Sequence, residues 1–340
     1  LPRNDIFFNM SQELIIVIAL ALVFDFLNGV RDASNIVATM ISSRAFGPRT
    51  ALGIAAVAEF VGPFLFGVTV AKTIGDEIVQ SNVLTLNVIL SALIGAIAWN
   101  LITWYFGIPG SSSHALIGGM VGAVLVGAGI EAIKFGGLNK VLIALFVVPL
   151  IGFIVSFIVT RLIYFFVRGA SPRINEFFRR GQWGTALVVA FGQGTNDAQK
   201  TMGIIALSLV IGNALPAFQI PEWVVAVSAA AIAIGTSLGG WRLIRTLGGK
   251  FYKIRPLHSF STQLSSAGVI LAASLLGVPV SASQVVSSAI IGVGSAERVS
   301  QVRWSVAEEI IMAWLITIPA SGLLSAGTYW LLVSVLRQAA

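Results

Sequence analysis

The sequence predicts an all-α polytopic membrane protein built from two inverted-topology repeats, with broken or re-entrant helices and about 10–12 membrane segments. Three observations carry this expectation. The composition is too apolar for water, the uncharged stretches are long enough for paired crossings, and two sets of polar motifs recur in the same order along the chain.

Hydrophobic residues make up 56% of the 340 residues and charged residues only 10%, where a soluble domain carries about a quarter. No Asp, Glu, Lys or Arg occurs from Ile78 to Ile130, nor from Pro256 to Ala296. A spanning helix needs about 20 apolar residues, so each stretch has room for two passes, and Val141 to Thr160 adds another. These segments are too long for strands of an outer-membrane barrel, and helices satisfy their own backbone in lipid. The chain has no cysteine and two histidines, which excludes disulfides, thiolate metal sites and a histidine cluster. Leu14 to Phe24 lies behind an acidic flank and runs into polar residues, unlike a cleavable signal peptide. The net charge of +7 does not point to nucleic acid, because the basic residues gather in connecting loops.

In order along the chain, spans are expected near 14–45, 50–71, 83–106, 110–130, 139–168, 183–213, 222–241, 257–276, 280–295 and 306–336. The first and sixth carry Gly with polar and charged residues at their centres, which suggests broken helices. The fourth and ninth follow Gly-x-Pro and open with serines, which suggests helices that begin inside the membrane. Trp99, Trp104, Trp241, Trp304 and Trp314 read as interface anchors or packing residues.

Gly29-Val30-Arg31-Asp32-Ala33 matches Gly194-Thr195-Asn196-Asp197-Ala198. Gly107-Ile108-Pro109-Gly110-Ser111-Ser112-Ser113 matches Gly277-Val278-Pro279-Val280-Ser281-Ala282-Ser283. The offsets are 165 and 170 residues, so an internal duplication is expected: a first repeat at 1–168, a linker at 169–182 and a second repeat at 183–340. Arg168, Arg173, Arg179 and Arg180 in and beside the linker, and Arg242, Arg245, Lys250, Lys253 and Arg255 further on, mark the cytoplasmic side of a plasma-membrane protein. Arg44 and Arg49 place the equivalent point of the first repeat on that side too, which inverts one repeat relative to the other. Inverted repeats are the architecture of many secondary transporters, with the site near the midplane.

Asp25, Asn28, Asp32 and Asn35 share one helical face, and their hard oxygens suit a small cation. The second copy of that face reads Ala190, Gln193, Asp197 and Lys200, with Asn196 beside it. Mutual pairing, or pairing with Arg31 and Lys200, is the alternative role for these groups. The serines at 111–113 and at 281 and 283 open helices whose free N–H groups and dipole suit an anion. N-capping and close packing of small residues are the alternative there. Glu59 is isolated in an apolar span, and Gln263 is read as its neutral counterpart. His114 either shuttles protons or holds the serine loop, the latter preferred. Ser113 and His114, being adjacent, cannot easily form a nucleophile–base contact, and no enzymatic activity is expected.

The blocks LNGVRDASNIVATMISSRA, WNLITWYFGIPGSSSHALIG, GTNDAQKTMGIIAL, GTSLGGWRLIRTLGGK and GVPVSASQVVSSAIIGVG resemble those of the inorganic phosphate transporter (PiT) family, in the family's order and over nearly the whole chain. The bacterial low-affinity members are the nearest in kind. The resemblance implies symport of inorganic phosphate with sodium or protons and no other cofactor, arsenate being a competitor. It places phosphate at Ser111, Ser112, Ser113, Ser281, Ala282 and Ser283. Asp32, Asn35, Asn196 and Asp197 would hold the cation, Na+ at Asp32 and Asp197 included, with Asn28 and Gln193 on the same faces. Asp25, Glu59, Lys200 and Gln263 would support them. Two departures stand out: Arg31 where many relatives have Asn, and Ala282-Ser283-Gln284 where relatives usually have hydroxyls followed by His. A passive anion channel is the competing function, and a homodimer is common among such carriers.

Overall fold

In the computed structural model, the residues described are 10–65, 83–275 and 280–339. Gly277-Val278-Pro279 and the end of the span expected at 50–71 lie outside them. The described chain is helical, without strands: α1 (Gln12–Ser42), α2 (Pro48–Leu65), α3 (Leu86–Phe106), α4 (Ser112–Ala128) and α5 (Phe135–Phe166). The second half continues with α6 (Ile174–Ile211), α7 (Glu222–Leu238), α8 (Trp241–Arg245), α9 (Pro256–Leu275), α10 (Ala282–Arg298) and α11 (Trp304–Ala339).

Local chemistry sets the ends of these helices. Ser11, Thr85, Ser111 and Ser281 accept a backbone N–H three residues ahead and so cap α1, α3, α4 and α10. Pro48 and Pro256 open α2 and α9, where a missing N–H costs nothing. Gly107 closes α3 at φ +69°, a left-handed conformation that glycine adopts without strain.

α1, α3, α5 and α11 are each long and apolar enough to cross a bilayer, while α7 and α8 with its following turn reach that length only together and are bent by 58° at their junction. α4 and α10 have 17 residues each, about 25 Å at 1.5 Å per residue. That is short of the roughly 30 Å hydrocarbon core, as expected of helices that begin inside the membrane. Large apolar side chains such as Phe146, Phe166, Leu323 and Trp330 are exposed, a surface made for lipid tails.

The packing follows a repeated pattern. α1 packs on α7 as α6 packs on α2, and α4 packs on α3 and α11 as α10 packs on α9 and α5. Exchanging α1 with α6, α2 with α7, α3 with α9, α4 with α10 and α5 with α11 leaves these pairings unchanged. Close crossings rest on small residues in both copies, which let helix backbones approach in a membrane. Gly29 and Gly235 lie where α1 meets α7, and Gly62 and Gly194 where α2 meets α6.

α1 and α6 run antiparallel. Ser43 at the end of α1 donates to Gln182 near the start of α6 at 3.3 Å, and Leu14 in the first turn of α1 lies against Gly212 at the end of α6. The face holding Ser43 also gathers the basic loops: Arg179 donates to the Ala45 carbonyl at 3.3 Å, and Arg44, Lys253, Arg255 and Arg303 line one cavity of about 590 Å³.

Three expectations change. The helices over 14–45 and 183–213 are not broken; each runs through its motif without interruption. Their glycines are crossing points instead: a Cβ at Gly194 would lie 2.6 Å from the backbone of Glu59. α6 already begins at Ile174, so the second part of the segment 169–182 is helix rather than linker. Gln263 is no counterpart of Glu59, since it lies on α9, which corresponds to α3, whereas Glu59 lies on α2, which corresponds to α7.

Candidate functional site

The site grows from the centre of α1, where consecutive side chains reach different halves of the molecule. Arg31 Nη2 donates to the Gly110 carbonyl at 3.2 Å, just before the first serine run. Asp32 Oδ1 accepts from Ser283 Oγ of the second serine run at 2.9 Å. Asn35, one turn on, donates to both Asp32 Oδ1 at 3.3 Å and Ser283 Oγ at 3.1 Å. Three groups read from sequence as cation-type and phosphate-type thus form one network. Asp32 is 4% exposed and Asn35 3%, so this polar knot is closed off from solvent.

The first serine loop is held by its carbonyls. Gly107 O accepts from Thr246 at 2.8 Å, Pro109 O from Trp314 Nε1 at 3.0 Å and Gly110 O from Arg31. Ser111 Oγ takes the His114 N–H at 3.2 Å, leaving the N–H groups of Ser112 and Ser113 at the free N-terminus of α4. Ser113 Oγ is buried without a partner, as is His114 Nδ1. The main chain therefore anchors this loop, and His114 Nδ1 has no part in holding it. Trp314 is 4% exposed and braces the loop instead of sitting at a membrane interface.

The second serine loop is tied to α6. Asn196 Nδ2 donates to the Val280 carbonyl at 2.9 Å, and Ser281 Oγ caps the Gln284 N–H at 3.4 Å. Gln284 Nε2 is buried and unpartnered. Ala282 is buried and contributes no hydroxyl.

On α6, Lys200 Nζ makes an ion pair with Asp197 Oδ1, both side chains being almost fully buried. Gln193 Nε2 donates to the Asp32 carbonyl at 2.9 Å and to Glu59 Oε1 at 3.1 Å. Thr236 of α7 donates to Glu59 Oε2. The buried acceptors left without a donor include Asp197 Oδ2, Asn196 Oδ1 and Gln193 Oε1. Unpaired donors thus occur at the two serine loops and unpaired acceptors on α6, which suits an anion and a cation in neighbouring places. Among the described residues no three of His, Asp and Glu form a metal cluster. Any cation here would be held by one or two carboxylates with amide and hydroxyl oxygens.

The sequence-predicted residues do not all join this network. Asn28 accepts from Asn100 at 3.4 Å, and both Asp25 oxygens are buried without a partner. Gln263 joins three helices, accepting from Thr185 at 2.7 Å and donating to the Ile36 carbonyl at 3.2 Å. Thr236 and Asn100 escaped the sequence reading, which met Trp314 only among the tryptophans and Gln284 only as a departure from the family pattern. Thr236 had a signal, since Gly235-Thr236 interrupts an apolar run, while Trp314 is indistinguishable by type from the interface tryptophans.

Residues 28–325 match the model of the phosphate transporter family. A probable low-affinity inorganic phosphate transporter of Rhizobium meliloti (strain 1021) is 46% identical over 316 residues, 92% of this chain and 95% of that one. Its namesake in Bacillus subtilis (strain 168) is 44% identical over 322 residues, 94% of this chain and 96% of that one. Among solved structures, one titled the sodium-dependent phosphate transporter aligns with a TM-score of 0.85 at 26% identity, covering 96% of this chain and all of that one. With its helical membrane fold, its paired serine loops and relatives named as transporters, the chain belongs to the phosphate transporter family.

Proposed function

We propose that this protein is a secondary active symporter that imports inorganic phosphate with a cation across the plasma membrane by alternating access between two inverted repeats. The observation that carries this reading is the Asp32–Ser283–Asn35 network. Ser283 belongs to a helix N-terminus suited to an oxyanion, and its hydroxyl is spent on the carboxylate of Asp32. A cation bound at Asp32 competes for that carboxylate and frees the hydroxyl for phosphate, so loading one site prepares the other. Phosphate is held by Ser111, Ser112, Ser113, Ser281 and Ser283 with the backbone at Ala282. The cation is held by oxygens of Asp32, Asn35, Gln193, Asn196 and Asp197.

Several features support a carrier over a passive channel. The serines of both loops and both acids are at most 6% exposed, so the substrate region is occluded. The antiparallel course of α1 and α6 supports inversion, and the gathering of basic loops on the face of Ser43 supports a cytoplasmic linker. Unpaired acceptor oxygens on α6, and the sodium dependence named for the similar solved structure, favour sodium over a proton. Arsenate, with the same tetrahedral shape and charge, competes for the phosphate site.

The test is uptake of labelled phosphate into proteoliposomes under separate sodium and proton gradients. Concentrative uptake requires one gradient, and Asp32→Asn and Asp197→Asn each abolish it without preventing membrane insertion. Equal phosphate flux with and without gradients would make the protein a channel. Undiminished uptake by both variants would sink the assignment of the cation site.

A further inference from the structure

Arg31 is 2% exposed and lies at the centre of a membrane-embedded helix. A guanidinium there stays charged, and it is tolerated only when its charge and donors find partners. One donor, Nη2, has the Gly110 carbonyl. Nε and Nη1 are buried and have none. The acids whose charge reaches it are Asp32 and Asp197, and each is engaged elsewhere: Asp32 by Ser283 and Asn35, Asp197 by Lys200. No carboxylate among the described residues forms an ion pair with Arg31. The result is a buried cation whose charge is met only at a distance, by Asp32 and Asp197, with two idle donors beside the loop that leads into Ser111, Ser112 and Ser113, where Ser113 Oγ is idle as well.

We infer that Arg31 is a direct ligand of the transported oxyanion at the first serine loop: Gly110 takes one of the two Nη2 hydrogens, and the other completes a fork with the free Nε or Nη1 donor to grip phosphate oxygens. This rests on the phosphate-transport reading above and adds a residue to it. An arginine offers two parallel donors to a phosphate where a lysine offers a point charge. It also makes the site asymmetric: the position matching Arg31 in the second copy is Asn196, a neutral amide that is tied to the Val280 carbonyl. The anion is therefore held by charge from the first repeat, and by hydroxyls and helix N-termini from both.

The experiment compares wild type, Arg31→Gln and Arg31→Lys in two measurements: KM and Vmax for labelled phosphate uptake in proteoliposomes, and protection of the detergent-solubilised protein from heat by inorganic phosphate. Loss of charge-assisted hydrogen bonds is expected to raise KM about 10- to 100-fold and to shift the phosphate concentration giving thermal protection by a similar factor. Arg31→Lys, which keeps the charge but not the fork, shifts in the same direction. If Arg31→Gln does not fold, Arg31→Lys decides alone. A fall in Vmax with KM and protection within about twofold of wild type would make Arg31 a brace for the Gly110 loop, and the inference falls. If phosphate protects wild type but neither variant, and wild type shows no uptake under any gradient, the ligand assignment stands and the transport reading falls.

Discussion

The ion pair of Lys200 and Asp197 gives the sharpest energetic test. Lys200→Met preserves the aliphatic stem and deletes the ammonium, stranding the Asp197 carboxylate. Its remaining donor is Asn196 Nδ2 at 3.5 Å, too long to compensate. Breaking a buried pair from one side costs about 3–5 kcal/mol, and Asp197→Asn should cost a comparable amount by stranding Lys200. The double variant removes both charges together, so its loss should fall well short of the sum of the two, by about 2 kcal/mol or more. SDS-driven unfolding in mixed micelles, followed by tryptophan fluorescence, measures all four corners of this cycle. Uptake separates structure from transport, because the double variant should recover stability without recovering concentrative uptake. Losses that add to within about 0.5 kcal/mol would mean the two groups do not depend on each other, and would refute the reasoning.

Other outcomes follow from single contacts. Ser283→Ala removes a phosphate donor and, with it, the hydroxyl that competes for Asp32; it should raise KM for phosphate about tenfold or more while that for the coupling cation stays level or falls, and uptake titrated against each ion checks this. Gly194→Ala places a Cβ 2.6 Å from the backbone of Glu59 and should cost about 1–3 kcal/mol in the same unfolding assay. Gly184→Ala, on the same helix with open space around it, should be neutral or stabilise by up to about 1 kcal/mol. Trp314→Phe loses the bond to the Pro109 carbonyl and should cost about 1 kcal/mol, read as a lower unfolding midpoint with the helix content unchanged by circular dichroism.

Much of the architecture was legible in the sequence because lipid leaves a chain few options. Long uncharged runs had to be helices, and charges kept at membrane depth had to serve something. Pro149 and Pro319, 170 residues apart like the two serine motifs, lie inside α5 and α11, which hold equivalent places in the pattern of helix pairs. The continuity of α1 and α6 was not legible. Glycine among polar residues looks the same whether it breaks a helix or lets another cross, and only the backbones of α7 and α2 decide between them. Nor could spacing rank the polar residues of α1, because nearly the whole circumference from Asn28 to Met40 is buried and sharing a face no longer selects. The partner of Asp197 was foreseen only as an alternative, since a lysine one turn away is equally placed to pair or to point elsewhere.

The position of the two long helices α5 and α11 reaches beyond the static fold. α5 follows α4 in the chain but packs on α10, and α11 follows α10 but packs on α4. The clusters α3–α4–α11 and α5–α9–α10 are therefore each assembled from both halves of the chain. Neither half made alone can complete the packing of its own serine helix. During synthesis, the first serine helix waits for the last helix of the chain before it is clamped. A protein cut within the 169–173 segment and expressed as two fragments should thus work only when the fragments meet in the same membrane.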